Sequence, residues 1–542
     1  MANGYSEKDA LEYLIKLGIE LSSESDTTLL LEHILLGAKN ICNADGGTIY
    51  SVTPQKTLKF ETLLNDTLGM HMGGSTGKEI PFPEIPLYVD NEPNANALVA
   101  YAVATDQIIN IPDVYACTIY NLSAAREMDK KTGYHTQSVL TIPLKNHEDE
   151  IISVIQLINS QRNHEIVPFH ADIVELIRSL ASLAAVALTN RQLIEGMAEL
   201  FESFTKMIAK AIDEKSPYTG GHCRRVPVLT MMIAEAVHNT EDGPMAEFRM
   251  TEKDRYELST AGWMHDCGKI AIPEYVMDKA AKLSTVFDRI ELVDAKIEIA
   301  LRDLELKYKE DALELLSQGS SDFSAIKAEF DKAHAQLEDD RDFLRKANIG
   351  GEFMTEEDQQ RVYDIAKRNK ISIDYQEQPL LTDEEIYNLK IARGTLTPEE
   401  RTIINHHMDI TIEMLESLPF PKHLRNVPEY AGGHHEKMDG TGYPKGLKRD
   451  EMSVPARMMA IADIFEALTA ADRPYKPAKP VSECLFIMGK MKQGDHIDPD
   501  LFDIFIDQEV YLQYANAHLK EEQMDEIDLN KIPGYIPKDQ RS

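Results

Sequence analysis

Six histidines and several carboxylates follow one another between residues 221 and 469 in short clusters whose residue types suit metal binding. The first cluster is Gly221-His222, the second His265-Asp266 followed by Gly268 and Lys269, and the third the adjacent pair His406-His407. His434-His435-Glu436 then leads into Asp439-Gly440-Thr441-Gly442-Tyr443-Pro444, and Ala462-Asp463 closes the series. Neutral imidazole with carboxylate suits borderline transition ions such as iron, manganese or zinc, and a carboxylate beside a histidine can bridge two of them. One histidine on a helix is more commonly a satisfied polar residue than a ligand, so the ordered set carries the reading and no single pair does.

The clusters interrupt apolar stretches. Trp263-Met264 precede His265, Ile403, Ile404 and Ile410 surround His407, and Met458-Met459-Ala460-Ile461 lead to Asp463. These stretches read as helices, and an all-helical scaffold places ligands by pointing side chains from several helices into a shared core. An unpaired charge there would be destabilising, and a metal centre removes that cost.

Ahead of this region, residues 8–40 carry apolar positions at helical spacing, among them Leu11, Leu14, Ile15, Ile19, Leu29, Leu30, Ile34 and Leu35. Short β-type segments follow at 47–52, 58–62, 138–143 and 151–158, the last apolar enough for a central strand, so a sheet flanked by helices is expected. From Asp172 a long helical run has apolar or small residues at 173, 177, 180, 184, 187, 194, 197, 201, 204, 208 and 211. That spacing is near a heptad with one slip, which fits either a parallel coiled coil between two copies or a helix packed on its own domain.

The order helix, strands, a polar loop with Asn159-Ser160, then Phe169-His170-Ala171-Asp172 opening the exit helix resembles a GAF sensory domain. The resemblance implies an α+β fold, an antiparallel sheet with flanking helices, and an unidentified small-molecule ligand. Ser160 stands where cyclic-nucleotide-binding members carry a lysine.

The histidine and aspartate series resembles the HD-GYP family of HD-superfamily phosphohydrolases over roughly residues 205–515, and Leu468–Lys476 and Gly494–Pro499 extend the match. This resemblance implies an all-α domain that hydrolyses cyclic di-GMP to the linear dinucleotide, with onward cleavage to GMP left open. It implies two divalent transition-metal ions, iron first and manganese second, held by His222, His265, Asp266, His407, His434, His435 and Asp463. Asp266 takes the bridging position and, with Lys269, the catalytic role, while Tyr443, Arg473 and Lys476 take contacts to substrate. His407 matches rather than His406, because Ile410 and Leu415 then fall as they do on the family's helix. 3′,3′-cyclic GMP-AMP is the alternative substrate, and a weakly catalytic receptor a further alternative. Tyr218 stands where some members carry a glutamate for a third ion, and Glu466 where the family has a shorter acid.

The family's segment between the second and third clusters is split here into Lys279–Ser284 and Arg393–Glu400, the latter with a Thr397-Pro398-x-Glu400 capping box. Residues 285–392, with 26 acids and 15 bases, are expected to form a charged helical insertion broken near Gly319–Ser321 and Gly350-Gly351. It reads either as a solvated hairpin or as a lid or partner-docking arm. The expected order is a GAF-like domain at 1–171, a linker helix at 172–204, an HD-GYP domain in two parts at 205–284 and 393–515, and a solvated acidic tail at 516–542.

With 57 bases against 91 acids the net charge is −34, which argues against long nucleic acids as backbone-bound partners. Two ions with Lys269, Arg473 and Lys476 can still hold a small dianion. Five scattered cysteines without a CxxC pair argue against a disulfide framework and for a reducing cytoplasm. The opening residues 1–14 lack a basic stretch followed by an apolar core, and no window approaches the roughly 20 apolar residues of a membrane span. A homodimer, and a protein partner at the insertion or the Gly442-Tyr443-Pro444 loop, complete the expectations.

Overall fold

The computed structural model describes residues 7–216, 221–351, 353–373, 376–470 and 478–538. Tyr218, Arg473 and Lys476 lie outside the described residues. The chain divides into two compact units, Met1–Leu200 and Phe201–Ser542.

The first unit is built on an antiparallel sheet in the order Met70–Gly73, Thr57–Asn65, Ala44–Val52, Ile151–Arg162, Val139–Lys145 and Ile109–Ile111. Alternation along the central strand sorts its side chains: Ile155 and Leu157 join Ile49 beneath the helices Glu7–Ser23, Thr27–Cys42 and the start of Ala171–Lys215. Val154 joins Tyr50 and Leu58 on the other face with Val99, Ala100 and Val103 of the helix Leu98–Ala104. The single helix expected over 8–40 is two, because Asp26 caps the second by accepting from Thr28 N at 2.7 Å and Leu29 N at 3.0 Å. Asn159 and Ser160 lie in the strand Ile151–Arg162 and not in a loop. Asn159, at φ 55°, accepts from Gln137 N at 2.7 Å and donates to His135 O at 2.8 Å, while Ser160 Oγ donates to Cys42 O at 2.8 Å. Ser160 is spent on the backbone, and Asn159 on the backbone and the Tyr134 hydroxyl, to which it donates at 2.9 Å.

The helix Ala171–Lys215 runs 45 residues. Positions 177, 180 and 184 of the apolar stripe are covered by the first unit's core, and Ile208 packs on the second's. A seam that takes in Met197 and Phe204 of that stripe stays exposed: Leu183, Val186, Leu193, Met197, Leu200, Phe204 and Met207, with Met197 71% and Leu200 70% accessible.

The second unit is a helical core formed by His222–His238, Glu252–Met264, His407–Glu416, Val427–Gly432, Val454–Thr469, Val481–Gln493, Pro499–Asp507 and Val510–His518. The inserted segment is more than a solvated hairpin. Its helices Ile290–Ser317 and Ser324–Asn348 pair antiparallel, with Arg341 to Glu298 at 2.6 Å and Arg345 to Asp294 at 3.0 Å. A helix Glu356–Arg368, a β-hairpin of Lys370–Ile373 with Gln376–Pro379, and a helix Asp383–Leu389 follow. Together they close a separate core around Val293, Ile297, Leu344, Val362, Ile365 and Leu380. The β-hairpin corrects the purely helical expectation; its strand Gln376–Pro379 is fully exposed and polar, which hides it from apolar periodicity. The acidic tail is likewise not solvated throughout. Ile532 and Tyr535 are buried in the helical core, Met524 and Leu529 pack on it, and buried Gln523 donates to Thr469 O at 2.8 Å.

Candidate metal centre

Three of the inward histidines share one construction. The last carbonyls of a helix lack intrahelical partners, and each of these residues sits at or just past a helix C-terminus and takes the carbonyl three residues back. His265 Nδ1 meets Gly262 O at 2.7 Å after Glu252–Met264, and His407 Nδ1 meets Ile404 O at 2.6 Å after Pro398–Asn405. His434 Nδ1 meets Ala431 O at 2.6 Å after Val427–Gly432. Donation from Nδ1 leaves Nε2 as the free lone pair, the tautomer a metal ligand needs. The negative ends of three helices then converge on one place, which favours a cation.

His222, at the start of its helix, is held differently. Its Nδ1 pairs with Glu466 on Val454–Thr469, and Glu466 also accepts from Arg225 Nε at 2.6 Å. Its Nε2 lies 3.4 Å from His265 Nε2, 3.3 Å from Asp266 Oδ2 and 3.2 Å from Asp463 Oδ1.

Asp266 faces both ways. Oδ2 is 3.2 Å from His265 Nε2 and 2.6 Å from Lys269 Nζ, while Oδ1 is 3.4 Å from His407 Nε2. Asp463 Oδ2 lies 4.0 Å from His435 Nδ1. The rings pack edge to face, His265 on His434 at 5.0 Å and His407 on His435 at 5.3 Å between centroids. His406, by contrast, is exposed and pairs with Asp409 at 2.9 Å.

Burial opposes ionisation of Asp266, but Lys269, His265 and His222 outweigh it and hold the carboxyl well below the usual range. Asp463 is depressed too, against its burial, by His222, His435 and His434. Burial, then the neighbouring His265, pushes His434 down to about 4, so it is neutral at pH 7. Burial would lower Lys269, yet Asp266 and Asp463 raise its pKa and keep it charged.

The residues fit a metal. Asp266 Oδ1, His407 Nε2 and His434 Nε2 are buried with no hydrogen-bond partner, an arrangement that costs roughly 1–3 kcal/mol per atom unless an ion takes up the lone pairs. Donor atoms of His222, His265 and Asp266, of His407, His434 and His435, and of His265, His434 and Asp463 each lie within 4.8 Å of one another.

Two glycines let the parts meet. A Cβ on Gly268 would lie 2.1 Å from His407 O, and its N–H donates to Thr411 Oγ1 at 2.9 Å, so the second cluster is pressed onto the helix of the third. A Cβ on Gly442 would lie 2.4 Å from Lys437 N. Buried Glu436 anchors that loop, accepting from Lys445 N at 2.7 Å, Gly446 N at 3.1 Å and Leu447 N at 3.0 Å. Tyr443 is thereby stacked on His435, centroids 5.0 Å apart and planes 28° from parallel. Arg225 and Thr411 carried no signal in the sequence; Glu436 stood in the fourth cluster without a part of its own, and Glu466, expected to position substrate or metal, instead holds His222 Nδ1.

The split segment is rejoined in space. Lys279 Nζ meets Glu400 at 2.7 Å, Thr395 Oγ1 donates to Lys279 O at 2.8 Å, and Thr397 and Glu400 form the capping box that opens the helix before His407.

A family model described as a GAF domain matches residues 26–188, and one described as an HD domain matches residues 382–501, which hold His407, His434, His435 and Asp463. The chain is 24% identical over 303 residues to the 3′3′-cGAMP-specific phosphodiesterase 3 of Vibrio cholerae, covering 56% of this chain and 37% of that protein. It is 37% identical over 145 residues to a probable cyclic di-GMP phosphodiesterase of the same organism, covering 25% and 32% of the two chains. It is 36% identical over 113 residues to the cyclic di-GMP phosphodiesterase of Thermotoga maritima, covering 21% and 30%. The matched part thus spans about a third of the length of these curated relatives.

Proposed function

Since the chain carries a GAF domain ahead of an HD domain, we propose that it is a metal-dependent phosphodiesterase that cleaves cyclic di-GMP to linear pGpG, under control of the GAF domain. The observation that carries the reading is Asp266, whose two oxygens face different histidines while the half-buried Lys269 holds one of them at 2.6 Å. 3′,3′-cyclic GMP-AMP is the second reading, favoured by the names of relatives matched at 24% and 39% identity.

His222, His265, Asp266, His407, His434, His435 and Asp463 would hold two divalent ions, iron first and manganese second. When bound, such a pair supplies Lewis acidity toward a phosphodiester. Lys269 keeps Asp266 ionised and offers its remaining N–H donors to a phosphate oxygen. Tyr443, stacked on His435, offers its other face to a base. Arg473 and Lys476 are assigned to phosphate oxygens on the family resemblance.

The exposed seam of Ala171–Lys215 supports a homodimer formed by two such helices in parallel. Among the described residues no helix is long and apolar enough to cross a membrane. All five cysteines are free, which agrees with a reducing, cytoplasmic setting. The inserted module and the loop of Tyr443 are the surfaces left for a protein partner.

The test is hydrolysis of both cyclic dinucleotides by the full chain, loaded with iron(II) or manganese and checked for bound metal. Cleavage of either one is the expected result. Binding without cleavage marks a receptor, and neither binding nor cleavage refutes the reading.

A further inference from the structure

Where the inserted module meets the helix Pro398–Asn405, the surface opens into a groove of about 810 Å³ whose lining includes none of the metal-ligating residues. Its lining includes Lys390, Arg393 and Arg401, two tyrosines, Tyr363 and Tyr387, and a single acid, Asp383. In a chain of net charge −34 this is an unusual balance. Other basic residues of the same module have found acids: Arg289 meets Glu384 at 2.9 Å, Arg341 Glu298 at 2.6 Å, Arg361 Asp339 at 2.6 Å and Arg368 Asp340 at 2.5 Å. Among the described residues no carboxylate lies in ion-pair range of Lys390, Arg393 or Arg401. Arg401 donates only to the Arg393 carbonyl, at 3.4 Å.

The tyrosines point to the rest of the ligand. Tyr363 and Tyr387 are 47% and 49% exposed, and Tyr387 is steadied by its hydroxyl, which donates to Glu399 at 2.9 Å. Aromatic faces at the rim of a cationic hollow suit a planar base joined to a phosphate, because stacking and charge-assisted hydrogen bonds then act on the two ends of one molecule. The volume lies within the range of small-molecule sites.

We propose that this groove is a binding site for a nucleoside monophosphate, separate from the metal centre, with Lys390, Arg393 and Arg401 on the phosphate and Tyr363 and Tyr387 on the base. The proposal is independent of the hydrolase reading. One end of the helix Pro398–Asn405 lines the groove and the other supplies Ile404, whose carbonyl holds His407.

The test is calorimetric titration of the full chain with GMP in the presence of EDTA. One site is expected, retained in Asp266→Ala and weakened at least tenfold in Lys390→Ala, in Arg393→Ala and in Tyr363→Ala. These three side chains are partly or fully exposed, and circular dichroism of each variant checks that the fold is kept. Guanosine and inorganic phosphate, each alone, are expected to bind at least tenfold more weakly than GMP. Absence of GMP binding at millimolar concentration, loss of binding in Asp266→Ala, or unchanged binding in all three groove variants overturns the proposal. Equal binding of phosphate and GMP overturns the assignment of the base.

Discussion

Replacing Glu466 by glutamine separates the aim of a metal ligand from the ligand itself. The carboxylate is buried, 1% exposed, and accepts from two donors, His222 Nδ1 with one oxygen and Arg225 Nε with the other. A glutamine of the same shape offers one acceptor and one donor head, so one of those two N–H groups must face another donor. The bond lost is charge-assisted, a class worth about 1.5–3 kcal/mol. If that loss falls on the orientation and basicity of His222, metal affinity drops by about 10–100-fold, or about 1.4–2.7 kcal/mol, the range known for partners behind a ligating histidine. The assay is competition against a graded series of chelators, with bound metal counted by elemental analysis and the melting temperature recorded with and without metal. Hydrolysis is expected to recover at saturating metal, because no ligand has been removed. Affinity within threefold of the parent, with Arg225 intact, would refute the reasoning.

Three other outcomes follow from the structure. His265→Ala and Asp266→Ala are each expected to abolish hydrolysis while far-UV circular dichroism stays near the parent's, since both side chains serve the cluster and His265 closes only one terminal carbonyl of its helix, Gly262 O. Met197→Glu combined with Leu200→Glu, at positions 71% and 70% exposed, is expected to convert a dimer to a monomer in light scattering without lowering the melting temperature by more than a few degrees. Lys282 is buried in the module, donating to Leu389 O at 2.9 Å, and burial depresses its pKa from 10.5 to about 8. The folded state therefore binds its proton more weakly than the unfolded chain, so stability rises as pH climbs from about 8 to 10.5, by at most about 3 kcal/mol. Lys282→Met is expected to flatten that part of the melting profile; an unchanged slope would assign it to other groups.

The metal cluster left a trace in the residue order because few side-chain types can bind such an ion, and those types stand inside apolar runs. Its aim left none. The carbonyls of Gly262, Ile404 and Ala431 that orient three histidines are backbone atoms and belong to every residue type. The strands Ala44–Val52, Thr57–Asn65, Val139–Lys145 and Ile151–Arg162 were readable from alternation, whereas the pairing order of the sheet depends on long-range contacts that period-two patterns do not encode. On Ala171–Lys215 the apolar residues exceed one stripe, so spacing alone could not separate the face its own units cover from the seam of Met197 and Leu200. In the tail, the apolar residues that dock are interspersed with acids and follow no single period, so composition hid the burial of Ile532 and Tyr535.

The inserted module changes how the chain can assemble. Leu283 at its entry and Leu389 near its exit are both fully buried in the module's own core. Once that core has formed, the 108 residues 285–392 behave as a short staple, and the ends at Lys279 and Thr395 are already side by side. Without it, joining His265 to His407 means closing a long flexible loop, and loop entropy then stands before every contact of the metal cluster. The module is thus a kinetic element of a centre to which it contributes no ligand. Leu344→Ala, in the module's own core, is expected to slow the recovery of metal binding after refolding more than it lowers the metal affinity of the refolded chain.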